Sequence, residues 1–233
     1  MWPRARDNRP GTSPGRKCQL MLFARHGPPP GAVNLGDGEE QRKIPGVYTL
    51  VQWWVSSLEL LKADEESRVI RFQHRRMLIF DADAMRLLRK ELVETLGLER
   101  ARRLLTRFGY ACGYRDALTS KELFDWQSDA EWLAVGPRLH TLEGIVQVRV
   151  LRAHMDRDAG VFEAEAEWPH SYEAEQHLKH IGQSDAPVCW TLTGYGSGHA
   201  SAVFGSEVWC VEKECVGKGD ARCLIESREH GPP

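Results

Sequence analysis

The sequence predicts an α+β fold, in which helices and antiparallel strands surround an apolar interior. Between residues 81 and 142 apolar side chains recur at helical spacing, and after Gly144 they alternate with polar side chains at a period of two. A third observation is a group of cysteines near the C-terminal end, which distinguishes that region from the rest of the chain.

The N-terminal region differs from the rest of the chain in composition. Residues 1–46 are rich in proline and glycine and lack hydrophobic periodicity, so we expect a mobile leader. Residues 47–61 have the pattern of a short amphipathic helix, and residues 68–80 alternate irregularly, as one or two strands would. We therefore expect one domain over residues 47–228, with residues 229–233 as the start of a linker.

Two long helices are expected next. An aspartate, Asp81 or Asp83, would cap the first helix and Gly97 would end it. Its buried stripe is predicted to contain Leu88, Leu92 and Leu96. The second helix carries two glycines, which indicate close packing against a neighbour, and its buried face is predicted to contain Leu98, Ala101, Leu105, Phe108 and Cys112. The two glycines are Gly109 and Gly113.

The second half of the chain predicts more strands than helices. A third helix is expected over residues 128–142, with a bend at Pro137. Strands over residues 145–150 and 161–168 would form a hairpin around a turn at residues 156–160, and a helix would follow over residues 171–181. Pro187 would open a further helix, and strands over residues 208–214 and 223–229 complete the fold.

Charge and hydropathy exclude several classes of protein. The chain has 31 basic and 33 acidic side chains, a formal charge of −2, and so lacks the surplus positive charge with which a protein binds nucleic acid or membranes nonspecifically. Its most apolar run, residues 47–61, is too short to span a bilayer, and the N-terminus lacks the apolar core of a secretory signal. We therefore expect a cytoplasmic chain that contacts neither nucleic acid nor membrane.

Closely spaced cysteines in a reducing compartment favour metal ligation or a buried core over disulfides. Cys189 is followed by Glu212, Cys215 and Cys223, and the two glycines between the last two cysteines permit a tight turn. Three thiolates and a carboxylate would form a closed tetrahedral shell for structural Zn²⁺. The spacing also allows three ordinary buried cysteines, and Cys210 could replace Glu212 as the fourth ligand.

One strand face indicates a pocket. The predicted strand over residues 161–168 places Phe162, Ala164, Ala166 and Trp168 on one side, with two small residues between two large aromatic ones. His140, on the third helix, would be the polar group of an apolar cavity suited to a small neutral ligand. The residues alone favour the alternative, in which the histidine and the tryptophan are ordinary core residues with partners inside the protein.

Four stretches of sequence resemble one family. They are residues 72–78 (FQHRRML), 88–92 (LRKEL), 194–198 (GYGSG) and 215–223 (CVGKGDARC). The resemblance covers about residues 47–228 and is to the N-terminal sensor domain of sigma-54-dependent bacterial enhancer-binding activators of aromatic catabolism, such as the phenol, toluene and xylene regulators. The zinc-loop motif, typical of a vinyl-4-reductase-like module, is its most specific part.

The resemblance implies a homodimer and a structural zinc on Cys189, Glu212, Cys215 and Cys223, in a module over about residues 186–228. It also implies an effector pocket, in which His140 and Trp168 would hold a phenol hydroxyl. The predicted pocket set is completed by Leu133, Val150, Phe162, Ala166, His199 and Cys210. Three of these, Ala166, His199 and Cys210, match positions where the phenol sensors carry larger aromatics, and smaller walls would admit methylated rings.

Three functions are consistent with these features. The first is a sensor of monocyclic aromatics, of the phenol, benzene, toluene and xylene class, that relieves restraint on an ATPase domain. The resemblance implies ATPase and DNA-binding domains in the full-length protein. This chain has no phosphate-binding G-x-x-x-x-G-K-[ST] motif, so we expect neither ATP hydrolysis nor promoter binding from it. The second is a zinc enzyme, which four protein ligands disfavour because catalytic zinc keeps an open position. The third is a purely structural or dimerisation module.

Overall fold

The computed structural model describes residues 61–72, 75–123, 126 and 128–229, and within them the predicted α+β class is confirmed. The leader over residues 1–46 lies outside the described residues, as does the helix predicted over residues 47–61, except that Leu61 begins a strand. No helix within the described ranges is long and apolar enough to cross a bilayer.

A three-stranded antiparallel sheet begins the described chain. It contains β1 (Leu61–Ala63), β2 (Ile70–Phe72) and β3 (Arg75–Met77), in that order. The prediction of one or two strands over residues 68–80 is therefore confirmed, with two.

Helix α1 (Ala82–Leu96) begins and ends where the sequence predicted. The Asp81 carboxylate accepts a hydrogen bond of 2.7 Å from the backbone N–H of Ala84, and Gly97 ends the helix with φ of 79°. The prediction that Leu88 is buried is wrong, because this side chain is 49% exposed. Arg89 takes the buried position instead, since its guanidinium has an ion-pair partner inside the protein.

Helix α2 (Leu98–Leu123) buries only part of the predicted face, since Ala101 and Leu105 are buried as predicted and Cys112 is half-buried. Leu98 and Phe108 are exposed, whereas the buried residues are Ala101, Leu105, Gly109, Gly113, Asp116, Ala117 and Ser120. The third predicted helix is two helices, α3 (Asp129–Leu133) and α4 (Val135–Leu142), which meet at Ala134 rather than bending at Pro137.

The remaining elements form a four-stranded antiparallel sheet and two helices. The strands are β4 (Arg149–Asp156), β5 (Val161–Glu167), β6 (Val208–Glu214) and β7 (Leu224–Glu229), in the order β4-β5-β7-β6. Between β5 and β6 lie α5 (Tyr172–His180) and α6 (Trp190–Phe204).

Two predicted boundaries in this region are wrong. The strand predicted over residues 145–150 begins only at Arg149, because the N–H groups of Ile145 and Gln147 bond to the carbonyls of His140 and Pro169, outside the sheet. Helix α6 begins at Trp190 with Cys189 as its N-cap, rather than at Pro187.

Helices α2 and α6 pack with their backbones in direct contact, as Gly109 and Gly113 predicted. A Cβ atom on Gly109 would overlap the carbonyl oxygen of Thr191, and one on Gly113 would overlap that of Tyr195. Two glycines of α6, Gly194 and Gly198, approach α2 in the same way. This contact fixes the position of α6, which carries residues of both candidate sites.

Candidate functional site

Four buried side chains from three parts of the fold meet at one end of α6. They are Cys189 at the helix N-cap, Glu212 on β6, and the two cysteines that bound the β6–β7 loop, Cys215 and Cys223. One ligand atom from each lies within 4.8 Å of the others, and the sulfurs of Cys189 and Cys223 are 3.9 Å apart. The structure therefore brings together the four residues whose spacing indicated a metal shell.

Backbone N–H groups of the β6–β7 loop and of the segment before α6 point toward the sulfur atoms. The Val216 N–H lies 3.3 Å from the Cys223 sulfur, and the Val188 N–H lies 3.5 Å from the Cys215 sulfur. Gly219 adopts a left-handed conformation with φ of 97°, which only glycine takes readily. These donors favour thiolates over thiols, as metal ligation requires.

The charge balance of this group fits a divalent cation. Hydrogen bonds from the neighbouring thiols of Cys189 and Cys223 hold the pKa of Cys215 well below its usual range, and burial raises the pKa of Glu212 to about 8. One oxygen of Glu212 accepts a bond from the Cys189 N–H, while the other, Oε1, is buried without a hydrogen-bond partner. Four acidic groups this close can all ionise only beside a cation, and the donor set of three sulfurs and one oxygen suits zinc.

Cys210, the alternative fourth ligand, lies outside this group. Its sulfur is 2.9 Å from the Ser227 hydroxyl, on the neighbouring strand β7. Glu212 is thus the residue of β6 that faces the three clustered cysteines.

Sequence reasoning missed two residues that hold Cys189 in place. Glu173, on α5, accepts hydrogen bonds from the N–H groups of Thr191 and Leu192 in the first turn of α6. Its carboxylate also contacts Arg89 at 3.3 Å.

The Arg89 guanidinium donates to the Val188 carbonyl at 2.8 Å and lies 3.6 Å from the centre of the Trp190 ring. The backbone on both sides of Cys189 is therefore held by one buried ion pair. The signal in the sequence was weak, because α1 carries two arginines one turn apart, Arg86 and Arg89, and the pattern does not tell which of them is buried.

A second cluster contains two buried histidines. His140, on α4, has its ring 3.9 Å from the ring of Tyr195 on α6, and the His199 ring lies parallel to Tyr195 at 6.3 Å. The His199 Nε2 lies 3.2 Å from the carbonyl oxygen of Leu133. Burial lowers the pKa of His140 to about 3 and that of His199 to about 4, so both rings are neutral at physiological pH.

The same turn of α6 contacts the sheet. A Cβ atom on Gly196 would lie 3.0 Å from the Cys210 sulfur and 3.9 Å from the Trp168 ring. Cys210 and Ala166 pack against the buried cluster that contains Trp168. Residues 195–199 of α6 therefore connect His140 and His199 with Trp168, Ala166 and Cys210.

Of the other predicted pocket residues, two belong to a neighbouring buried cluster and one is exposed. Phe162 is buried against Phe204, with ring centres 5.5 Å apart, and Leu133 packs against this pair. Val150 pairs with Ala166 across β4 and β5, but it is 40% exposed and so lies at the surface of the sheet.

Comparisons with known proteins match nearly all of the described chain. A family described as "Activator of aromatic catabolism" matches residues 58–156, and the V4R domain matches residues 168–229. The phenol regulator MopR of Acinetobacter guillouiae is 39% identical over 168 residues, which are 72% of this chain and 30% of that protein. The transcriptional regulatory protein XylR of Pseudomonas putida is 37% identical over 150 residues, 64% of this chain and 26% of that protein.

A solved structure is similar over most of its length. It is the crystal structure of the phenol-responsive sensory domain of the transcription activator PoxR with phenol, with a TM-score of 0.72 and 38% identity, covering 78% of this chain and 90% of that one. This chain spans less than a third of the length of the curated relatives named above.

Proposed function

This chain belongs to the family of aromatic-effector sensor domains of XylR-like transcriptional activators, a family of regulators and not of enzymes, and from this we propose that it binds a monocyclic aromatic effector beside α6. The effector class is that of phenol, benzene, toluene and xylene. The observation that carries the proposal is the single turn of α6, residues 195–199, that contacts His140 as well as Trp168 and Cys210.

The two polar groups of this site suit a phenol hydroxyl. The His140 ring is neutral, because burial lowers its pKa to about 3. One ring nitrogen can therefore accept a hydrogen bond from the hydroxyl. The Trp168 indole N–H can only donate, and would bond to the hydroxyl oxygen. Phenol would use both groups, whereas toluene would use neither.

Binding would regulate domains outside this chain. We infer from the family that the empty sensor, over residues 47–228, restrains a sigma-54-dependent ATPase, and that the effector relieves this restraint. The effector can shift that equilibrium only through a difference in affinity between the restrained and the released states. Promoter DNA would be bound by a further domain of the full-length protein.

Calorimetry with phenol, benzene, toluene and xylene tests the proposed function. We expect saturable binding of these rings by the chain, and weaker binding of cyclohexanol, which has a hydroxyl group but no aromatic ring. Failure of every aromatic compound to bind would contradict the proposal and favour a purely structural module.

His140→Ala should weaken phenol binding by about 1–3 kcal/mol, because a buried polar group then loses its partner. Toluene binding should change far less, since toluene has no hydroxyl that could donate a hydrogen bond to the imidazole. Titration calorimetry with both ligands measures the contrast, and His154→Ala, at an exposed histidine on β4, is the control. Equal losses for phenol and toluene would make His140 a packing residue.

Ala166→Phe should narrow the site, so that affinity for xylene falls more than affinity for phenol. Overpacking a tight apolar site costs about 1–3 kcal/mol, and the larger ring meets more of that cost. Competition binding with the two ligands measures the ratio, and Ala153→Phe, at an exposed alanine of β4, is the matched control. If both ligands lose the same affinity, Ala166 does not select for size.

We also propose a structural zinc ion on Cys189, Glu212, Cys215 and Cys223. The buried, mutually close donors and the unpartnered Glu212 oxygen support this. Four protein ligands leave no open position for a reacting water, so the ion would supply folding energy rather than catalysis.

A homodimer is supported by an exposed apolar stripe on α2. Leu104, Phe108 and Leu118 share the side of the helix that faces away from its buried glycines, and all are more than 40% exposed. We propose that a second copy of the chain covers this stripe.

Phe108→Glu should convert the dimer to a monomer, because a carboxylate would be buried in the interface without a partner. Sedimentation measures the mass, and Leu178→Glu, an exposed leucine on α5, is the control. A Phe108→Glu protein that stays dimeric would place the interface elsewhere.

A further inference from the structure

We infer that Tyr195 and Asp116 are positioning residues for the imidazole of His140, and thereby set the preference of the site for rings that carry a hydroxyl group. This rests on the proposed function, in which His140 accepts the effector hydroxyl. Neither residue belongs to the pocket set that the sequence predicted.

The Tyr195 ring is the shared neighbour of the two buried histidines. Its centre is 3.9 Å from that of His140, with the rings inclined at 43°, and 6.3 Å from that of His199, with the rings nearly parallel at 4°. The plane of the Tyr195 ring therefore limits the orientations open to the His140 ring. A hydrogen bond from a hydroxyl to an imidazole depends steeply on that orientation.

The Tyr195 hydroxyl is itself fixed by a buried charge. It donates to the Asp116 carboxylate at 3.1 Å, and Asp116, on α2, is 3% exposed. The other oxygen of Asp116 is 2.7 Å from the Arg75 guanidinium and 3.3 Å from that of Arg115. These two ion pairs fix the position of the carboxylate that accepts the hydrogen bond from the Tyr195 hydroxyl.

The two helices that carry this pair cannot move apart or slide easily. The Tyr195 carbonyl packs directly on Gly113, and the Tyr110 carbonyl packs on Gly198. Asp116 lies one helical turn beyond Gly113, so its carboxylate is held at a fixed distance from the tyrosine hydroxyl. The His140 ring therefore packs against a tyrosine whose position is already fixed before binding. Such preorganisation strengthens binding because fewer side chains lose conformational freedom when the ligand binds.

Tyr195→Phe tests the inference, because it keeps the ring and removes the hydroxyl. We expect phenol affinity to fall by about three- to tenfold, the range of one hydrogen bond, while toluene affinity stays within about twofold. Tyr114→Phe removes an exposed tyrosine hydroxyl from α2 and should change neither affinity. Asp116→Asn retains an acceptor oxygen and should lower phenol affinity less than Asp116→Ala.

A readout without ligand separates this inference from the proposed function. In long-range ¹H–¹⁵N spectra of the free chain, the ring signals of His140 should shift in Tyr195→Phe and stay in place in Tyr114→Phe. If Tyr195→Phe folds poorly, the double variant Tyr195→Phe with Asp116→Asn replaces the carboxylate that has lost its tyrosine donor by a neutral amide and gives the same comparison.

Each outcome decides one question. Unshifted His140 signals, or equal losses of phenol and toluene affinity, would overturn the positioning role and leave the sensor function intact. A wild-type chain that binds no aromatic compound, with His140 signals that still shift, would overturn the sensor function and leave the contact between Tyr195 and His140.

Discussion

Protein carrying Cys223→Ser is expected to purify with little or no zinc and to lose its cooperative unfolding transition. The four donor atoms come from α6, β6 and the loop before β7, so the ion would join elements far apart in the sequence. Structural zinc contributes about 10–16 kcal/mol in zinc-finger peptides, as much as the whole stability of a typical domain, about 5–15 kcal/mol. Atomic emission measures the zinc, and scanning calorimetry measures the transition.

Cys210→Ser is the matched control for this prediction. Cys210 lies on the same strand as Glu212, but its sulfur faces Ser227, so the zinc content should stay unchanged. Glu212→Ala should lower the zinc content. The reverse pattern, with zinc lost from Cys210→Ser and kept in Glu212→Ala, would make Cys210 the fourth ligand.

The cluster of three cysteines and one glutamate could be predicted because its chemistry is concentrated in a short stretch. Three of the four lie within residues 212–223, around a loop with two glycines. Spacing alone left Cys210 and Glu212 open, because both face inward on β6. The register places Glu212 beside the three cysteines, since Glu212 pairs with Ile225, near Cys223, whereas Cys210 pairs with Ser227.

The buried faces of the helices were harder to predict. On α2 the two glycines correctly indicated close packing, but a hydrophobic pattern gives glycine no weight and so did not show that the buried side is centred on Gly109 and Gly113. Phe108, the larger apolar residue, therefore lies on the exposed side. The positions of Leu88 and Arg89 on α1 show the same limit, because the partner of Arg89 is 84 residues away in the chain.

Arg89→Met is expected to lower the free energy of unfolding by about 3–5 kcal/mol, because it leaves Glu173 as an unpaired buried charge. The side chain of Glu173 is only 2% exposed and that of Arg89 10%, so water cannot replace the lost partner. The guanidinium also holds the Val188 carbonyl beside Cys189, and zinc affinity should fall with the stability. Urea unfolding measures the first effect, and competition with a zinc chelator measures the second.

Arg102→Met is the control, since it removes the same charge from an exposed pair with Glu99 and should cost less than about 1 kcal/mol. The double variant Arg89→Met with Glu173→Gln distinguishes a stranded charge from lost packing. Thr191 and Leu192 donate to different oxygens of Glu173, and glutamine keeps only one of these oxygens but carries no charge, so part of the lost stability should return. If the double variant is no more stable than Arg89→Met alone, the arginine stabilises the protein by packing on Trp190. The ion pair would then not be what holds Cys189 in place at the first turn of α6.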